Sequence, residues 1–88
     1  MTPEPPQDTP YIEGPLEIRP YGTFYYTIKN VEGYGTWVVS IGEQKKILKE
    51  NSDSVKLSVT NTRIKGLTLT FLQEDKEISS LDITLNSL

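Results

Sequence analysis

Four runs of this chain place an apolar side chain at every second position, and that period constrains the fold more than any other feature. Phe24, Tyr26 and Ile28 alternate with Thr23, Tyr25, Thr27 and Lys29, and Val55, Leu57 and Val59 alternate with Lys56, Ser58 and Thr60. Leu67, Leu69 and Phe71 alternate with Thr68, Thr70 and Leu72, and Leu81, Ile83 and Leu85 alternate with Asp82, Thr84 and Asn86. Successive side chains of a strand leave on opposite faces, so such runs make strands with one buried and one wetted face. The residues involved are β-branched and aromatic, the types that fit a pleated surface. The same parity turns Trp37 and Val39 inward and Val38 and Ser40 outward. No stretch carries a helical stripe; Glu43 to Glu50 comes nearest, and its Ile47-Leu48 pair is too short to define a period.

Turn chemistry separates the runs at intervals of about ten residues: Gly14-Pro15, Pro20-Tyr21-Gly22, Lys29-Asn30 through Gly33-Tyr34-Gly35, Ile41-Gly42, Asn51-Ser52-Asp53-Ser54, Ile64-Lys65-Gly66 and Gln73-Glu74-Asp75-Lys76. The spacing predicts strands near 11–13, 16–18, 23–29, 36–41, 45–49, 54–60, 66–73 and 78–86. They assemble into an all-β, antiparallel β-sandwich of about seven strands with Greek-key connections. Its predicted core is Phe24, Tyr26, Ile28, Trp37, Val39, Val55, Leu57, Val59, Leu67, Leu69, Phe71, Leu81, Ile83 and Leu85. Residues 1–10, MTPEPPQDTP, hold four of the six prolines and read as a flexible, partly polyproline II linker leading into a domain over 11–88.

An 88-residue chain forms one domain, and with no cysteine it has no disulfide, thiolate metal ligand or cysteine nucleophile. With no histidine it also lacks the commonest general base and zinc ligand, which removes Ser-His-Asp and Cys-His chemistry together. Nine basic residues against twelve acidic ones give a net charge of −3 with the signs interspersed. A basic stripe to displace counterions from phosphates is missing, so nucleic acid is not an expected partner. No apolar run approaches the roughly 20 residues of a membrane span, so membrane insertion is not expected either. A soluble segment is expected, any secretion signal lying elsewhere in a longer parent chain.

The single tryptophan, Trp37, reads as a core residue rather than a ligand platform. Gly33-Tyr34-Gly35 neither follows a strand into a helix nor brings a third glycine, so it is a flexible hairpin loop carrying an exposed tyrosine and not a phosphate cradle. Tyr25 faces outward and Tyr21 and Tyr34 lie in turns. These three are the candidate surface-binding residues, since an exposed tyrosine offers a flat apolar ring with a hydrogen-bonding tip to sugars and proteins alike. Asn51-Ser52-Asp53 and Glu74-Asp75-Lys76-Glu77 lack the ligand spacing of a calcium loop and read as solvated turns, so neither metal nor cofactor is expected. Lys45, Lys46 and Lys49 read as a charged edge that discourages sheet-to-sheet association.

Taken together, Gly14-Pro15, Pro20-Tyr21-Gly22, Tyr26-Thr27-Ile28, Gly35-Thr36-Trp37-Val38-Val39-Ser40, Val55-Lys56-Leu57-Ser58-Val59, Gly66 with Leu69 and Phe71, and Leu81-Asp82-Ile83-Thr84-Leu85 resemble bacterial immunoglobulin-like modules of the Big and PKD-like type. More narrowly, the pattern resembles the immunoglobulin-like domains that end structural proteins of phages and prophages of Gram-positive bacteria. It departs from many of them at Gly22 and at Thr62-Arg63-Ile64-Lys65-Gly66. The resemblance covers nearly everything after residue 10, implies an immunoglobulin-like sandwich and brings no catalytic residue with it. The expected function is that of a non-enzymatic accessory module of a larger virion or bacterial surface protein, on the virion or cell surface. Its expected partners are the parent polypeptide, neighbouring virion or surface proteins, and host cell-wall carbohydrate. The alternatives are a carbohydrate-binding module of a secreted enzyme, stacking sugars on Tyr21, Tyr25 and Tyr34, and a pure assembly or spacer domain.

Overall fold

The computed structural model describes residues 9–60 and 63–86. Eight strands run through them: β1 (Tyr11–Glu13), β2 (Glu17–Ile18), β3 (Thr23–Lys29), β4 (Gly35–Ile41), β5 (Gln44–Ser52), β6 (Ser54–Ser58), β7 (Gly66–Gln73) and β8 (Lys76–Leu85). A three-stranded sheet in the order β1-β3-β6 and a five-stranded sheet in the order β2-β8-β7-β4-β5 share one core, and no described residue is helical. The count is thus eight rather than about seven, because the short β1 and β2 join different sheets. Glu43 to Glu50, the nearest approach to a helix in the sequence, belongs to the turn before β5 and to β5 itself. The proposed linker falls mostly on residues 1–8, outside the described residues.

The chain changes sheet at Gly14-Pro15. β1 pairs antiparallel with β3, and β2 then runs parallel to β8. A Cβ at Gly14 would collide with the Tyr26 ring, and the Tyr26 hydroxyl donates 2.7 Å to the Pro15 carbonyl. The kink is therefore packed onto, and tied to, the middle of β3. The opposite crossing, from β5 to β6, is equally tight: Ser52 Oγ donates to Ser54 O at 2.7 Å and accepts from Ser54 N at 3.2 Å.

Trp37, Tyr26, Phe71, Ile18 and Leu69 are the largest fully buried side chains. The Trp37 and Phe71 rings meet edge to face at 5.0 Å and 62°, and the indole N–H donates to Ser52 O at 3.2 Å, so the tryptophan is buried without an orphaned donor. Burial also includes Ile28, Val39, Val55, Leu57, Val59, Leu67, Ile83 and Leu85. Two residues of the predicted core, Phe24 and Leu81, are only half-buried. Three strands cannot fully cover five, so side chains near the margins stay partly open; Phe24 is the second residue of β3, at one end of the sandwich. Ile12 and Ile18 are buried although the sequence did not single them out, because strands of three and two residues are too short to display a period.

Candidate functional site

The three candidate tyrosines all project into solvent, with Tyr21 70%, Tyr25 67% and Tyr34 62% exposed. They are not one platform. Tyr25 stands on the outer face of the three-stranded sheet, opposite Lys56 of β6. Tyr21 precedes the first residue of β3 and Tyr34 follows its last, so the seven residues of that strand separate them by about 20 Å. A fourth tyrosine, Tyr11, is 46% exposed and lies opposite Lys29, which pairs with Glu13 at 3.8 Å.

The Tyr34 loop was expected to be a flexible hairpin; instead it crosses from β3 in one sheet to β4 in the other and is tied down. Gln73 Nε2 donates to Glu32 O at 2.9 Å and to Tyr34 O at 3.3 Å. Its two glycines serve different ends. Gly33 has φ +85°, which suits a residue without a side chain, whereas a Cβ on Gly35 would collide with Leu72 O and stand 2.6 Å from Phe71 Cζ. Beside this loop the β7–β8 turn places Glu74 and Asp75 at φ 52° and 64°, both positive, as a type I′ hairpin requires. Glu32, Gly33, Tyr34, Gln73, Glu74, Lys76 and Ile78 line an open concavity of about 410 Å³. Among the described residues no group of three or more metal-ligating side chains is placed to hold an ion.

At the other end, Gly22 N–H donates to Arg19 O at 3.3 Å and closes a turn with Pro20 second and Tyr21 third. Tyr21 has φ 68°. A positive φ at the third position is the mark of a type II turn, where glycine or asparagine is usual. A bulky residue there is strained by about 1–3 kcal/mol. The conformation is held by the Tyr21 N–H, which donates 2.7 Å to Val59 O. The neighbouring Gly22 does not relieve it, because it is needed elsewhere: a Cβ on it would sit 2.8 Å from the Phe24 ring. Arg19, Pro20, Tyr21, Gly22, Thr23 and Phe24 line an open concavity of about 400 Å³. Thr23 Oγ1 lies 3.4 Å from Ser58 Oγ. Sequence alone placed Tyr21 in a turn; that it is the strained member of the three follows only from the backbone.

The electrostatics of the described residues are plain. Among them no charged, amide or aliphatic hydroxyl side chain is buried, and no buried side-chain nitrogen or oxygen lacks a partner. Burial pushes the Tyr26 hydroxyl up from 10.0 to about 12, and this group serves the Gly14-Pro15 kink. Lys45, Lys46 and Lys49 are exposed on β5, the edge of the five-stranded sheet. Asn51 and Ser52, expected in a turn, are the last residues of β5, with Asp53 alone between β5 and β6, whereas Glu74 and Asp75 form the turn between β7 and β8. No protein-family model, curated protein or solved structure matches the chain.

Proposed function

We propose that this is an immunoglobulin-like accessory module without catalytic activity, part of a larger phage virion or bacterial surface protein, displayed to solvent and attaching weakly to host-surface polymers. The observation that carries the reading is the strand order. In an immunoglobulin sandwich the first, second and fifth strands share a sheet that faces the seventh, sixth and third. With β2 counted as the second half of a divided first strand, β1-β3-β6 stand first, second and fifth and β8-β7-β4 seventh, sixth and third, while β5, the fourth, lies at the edge beside β4. Trp37 on β4 corresponds to the tryptophan that fills such sandwiches on their third strand. Fold alone leaves function to surface sites, and the exposed polar faces and tyrosines are where those lie.

Co-sedimentation of the isolated chain with purified Gram-positive cell walls tests the proposal. Saturable binding without release of soluble wall fragments is expected. Binding that never saturates on walls from several hosts overturns attachment, and release of fragments overturns the non-enzymatic reading. No observation favours the alternative of a dedicated three-tyrosine sugar platform, because Tyr21, Tyr25 and Tyr34 occupy two ends and one face.

A further inference from the structure

We propose that the Arg19–Phe24 turn is a binding site for an anionic sugar unit, a pyranose bearing a carboxylate or phosphate, with the Tyr21 ring as its stacking face and Arg19 as its anion contact. The inference rests on the display reading above and locates the attachment. Its first support is backbone strain at a side chain that contributes little to the fold. Of the non-glycine residues at positive φ, Asn30 and Asn51 tolerate that region, and Glu74 and Asp75 form a two-residue hairpin that needs it. Tyr21 is the bulky one, and at 70% exposure its ring recovers little of the strain through burial. A glycine or asparagine would make the same turn more easily. Strain held in place by a surrounding hydrogen bond, here Tyr21 N–H to Val59 O at 2.7 Å, is a mark of binding positions.

The second support is the chemistry around the ring. The concavity of about 400 Å³ is lined by two aromatic residues, Tyr21 and Phe24, together with Arg19 and Thr23. An aromatic face takes the apolar face of a pyranose, a hydroxyl takes a ring hydroxyl, and a guanidinium takes carboxylate or phosphate oxygens as a fork. Arg19 is exposed, makes no ion pair with a described residue and is the one charged residue of that lining. The Tyr34 concavity carries two carboxylates, Glu32 and Glu74, against one cation, Lys76, and suits the same anion less well.

Amide chemical shifts of the full chain, titrated separately with glucuronate, glucose 6-phosphate, glucose and inorganic phosphate, test the site. Shifts confined to residues 19–24 are expected with one or both anionic sugars, and which of them binds identifies the anion. Glucose should bind severalfold more weakly. Tyr21→Gly is expected to abolish the shifts while raising the thermal midpoint by about 4–8 °C, as relief of strain in a domain of this size should. Tyr21→Phe should retain binding, Arg19→Gln should weaken the anionic sugars severalfold, and Tyr25→Ala should change nothing. The proposal is overturned by silence at residues 19–24 with both anionic sugars, or by inorganic phosphate matching them with no loss in Tyr21→Gly. It is equally overturned if Tyr21→Gly lowers the midpoint, since the ring then serves the fold. Sugar binding that maps to the Tyr34 loop overturns this site but leaves the display reading standing, whereas absence of wall binding with intact binding at residues 19–24 does the reverse.

Discussion

The two ends of the sandwich present an exposed tyrosine by opposite means. At the Tyr34 end the left-handed backbone of the loop falls on Asn30 and Gly33, residue types that tolerate it, and the loop is fastened by Gln73 on β7 and by Gly35 lying against Phe71 and Leu72. At the Tyr21 end the aromatic residue itself occupies the left-handed region, while the adjacent glycine is spent on contact with Phe24. The first end is built as an extension of the core, and its tyrosine is incidental to the turn. The second holds its tyrosine against the local conformational preference. Exposure alone does not separate the two, since the values differ by little; the backbone does.

If the Tyr34 end belongs to the core, damage to the core there should be severe. Trp37→Ala removes the ring that packs on Phe71 and the N–H that holds Ser52 O, and it is expected to cost about 3–5 kcal/mol. That is a large share of the roughly 5–15 kcal/mol typical of a domain. Chemical denaturation followed by circular dichroism reads the loss, and a near-native midpoint would remove Trp37 from the core. Gly35→Ala places a methyl group against Leu72 O and the Phe71 ring and should cost about 3 kcal/mol, at the upper end for overpacking, in the same assay. A negligible effect would mean that the loop can slide off β7, which would make the two ends alike.

The centre between the ends can be tested by pH. Tyr26 is buried, and its hydroxyl is pushed from 10.0 up to about 12, so the folded state favours the protonated form. Its contribution is fully present below pH 10 and is lost as pH rises toward 12. A loss of about 2–3 kcal/mol across that window is expected from this group. Tyr26→Phe should flatten that part of the stability profile, at a cost near neutrality of about 1 kcal/mol for the bond to Pro15 O. Identical pH profiles for the two proteins would contradict burial of the ionising group. The smallest effect is expected from Gln73→Ala, which frees Glu32 O and Tyr34 O and should cost about 1 kcal/mol, with faster amide exchange confined to the loop before β4. Exchange that also quickens at residues 19–24 would show that the ends are coupled.

Much of the fold was legible because the period of a strand is written in side chains. The predicted strand at 66–73 and the observed β7 coincide, as do those at 23–29, because long alternating runs leave a single inward set. The boundaries moved where alternation fails. β5 extends over Gln44–Ser52 through a bulge against β4, and β6 ends at Ser58 although Val59 continues the period and remains buried. Ile12 and Ile18 escaped notice because strands held by two or three residues leave no pattern. The candidate site was legible only as residue types. Tyr21, Tyr25 and Tyr34 could be seen to face water, but their distribution over two ends and one face depends on which strands share a sheet.

Sequence by itself determined the class of fold, the inward set including Trp37, and the outward parity of Tyr25, since these follow from a period of two and from turn residues at short range. Tertiary structure decided that the chain changes sheet at Gly14-Pro15, that Gly35 is required by the Leu72 carbonyl of the neighbouring strand, and that Tyr21 sits in the left-handed region. Those depend on hydrogen bonds and close approaches between residues far apart in the chain, such as Tyr21 N–H with Val59 O, and a local pattern carries no record of them.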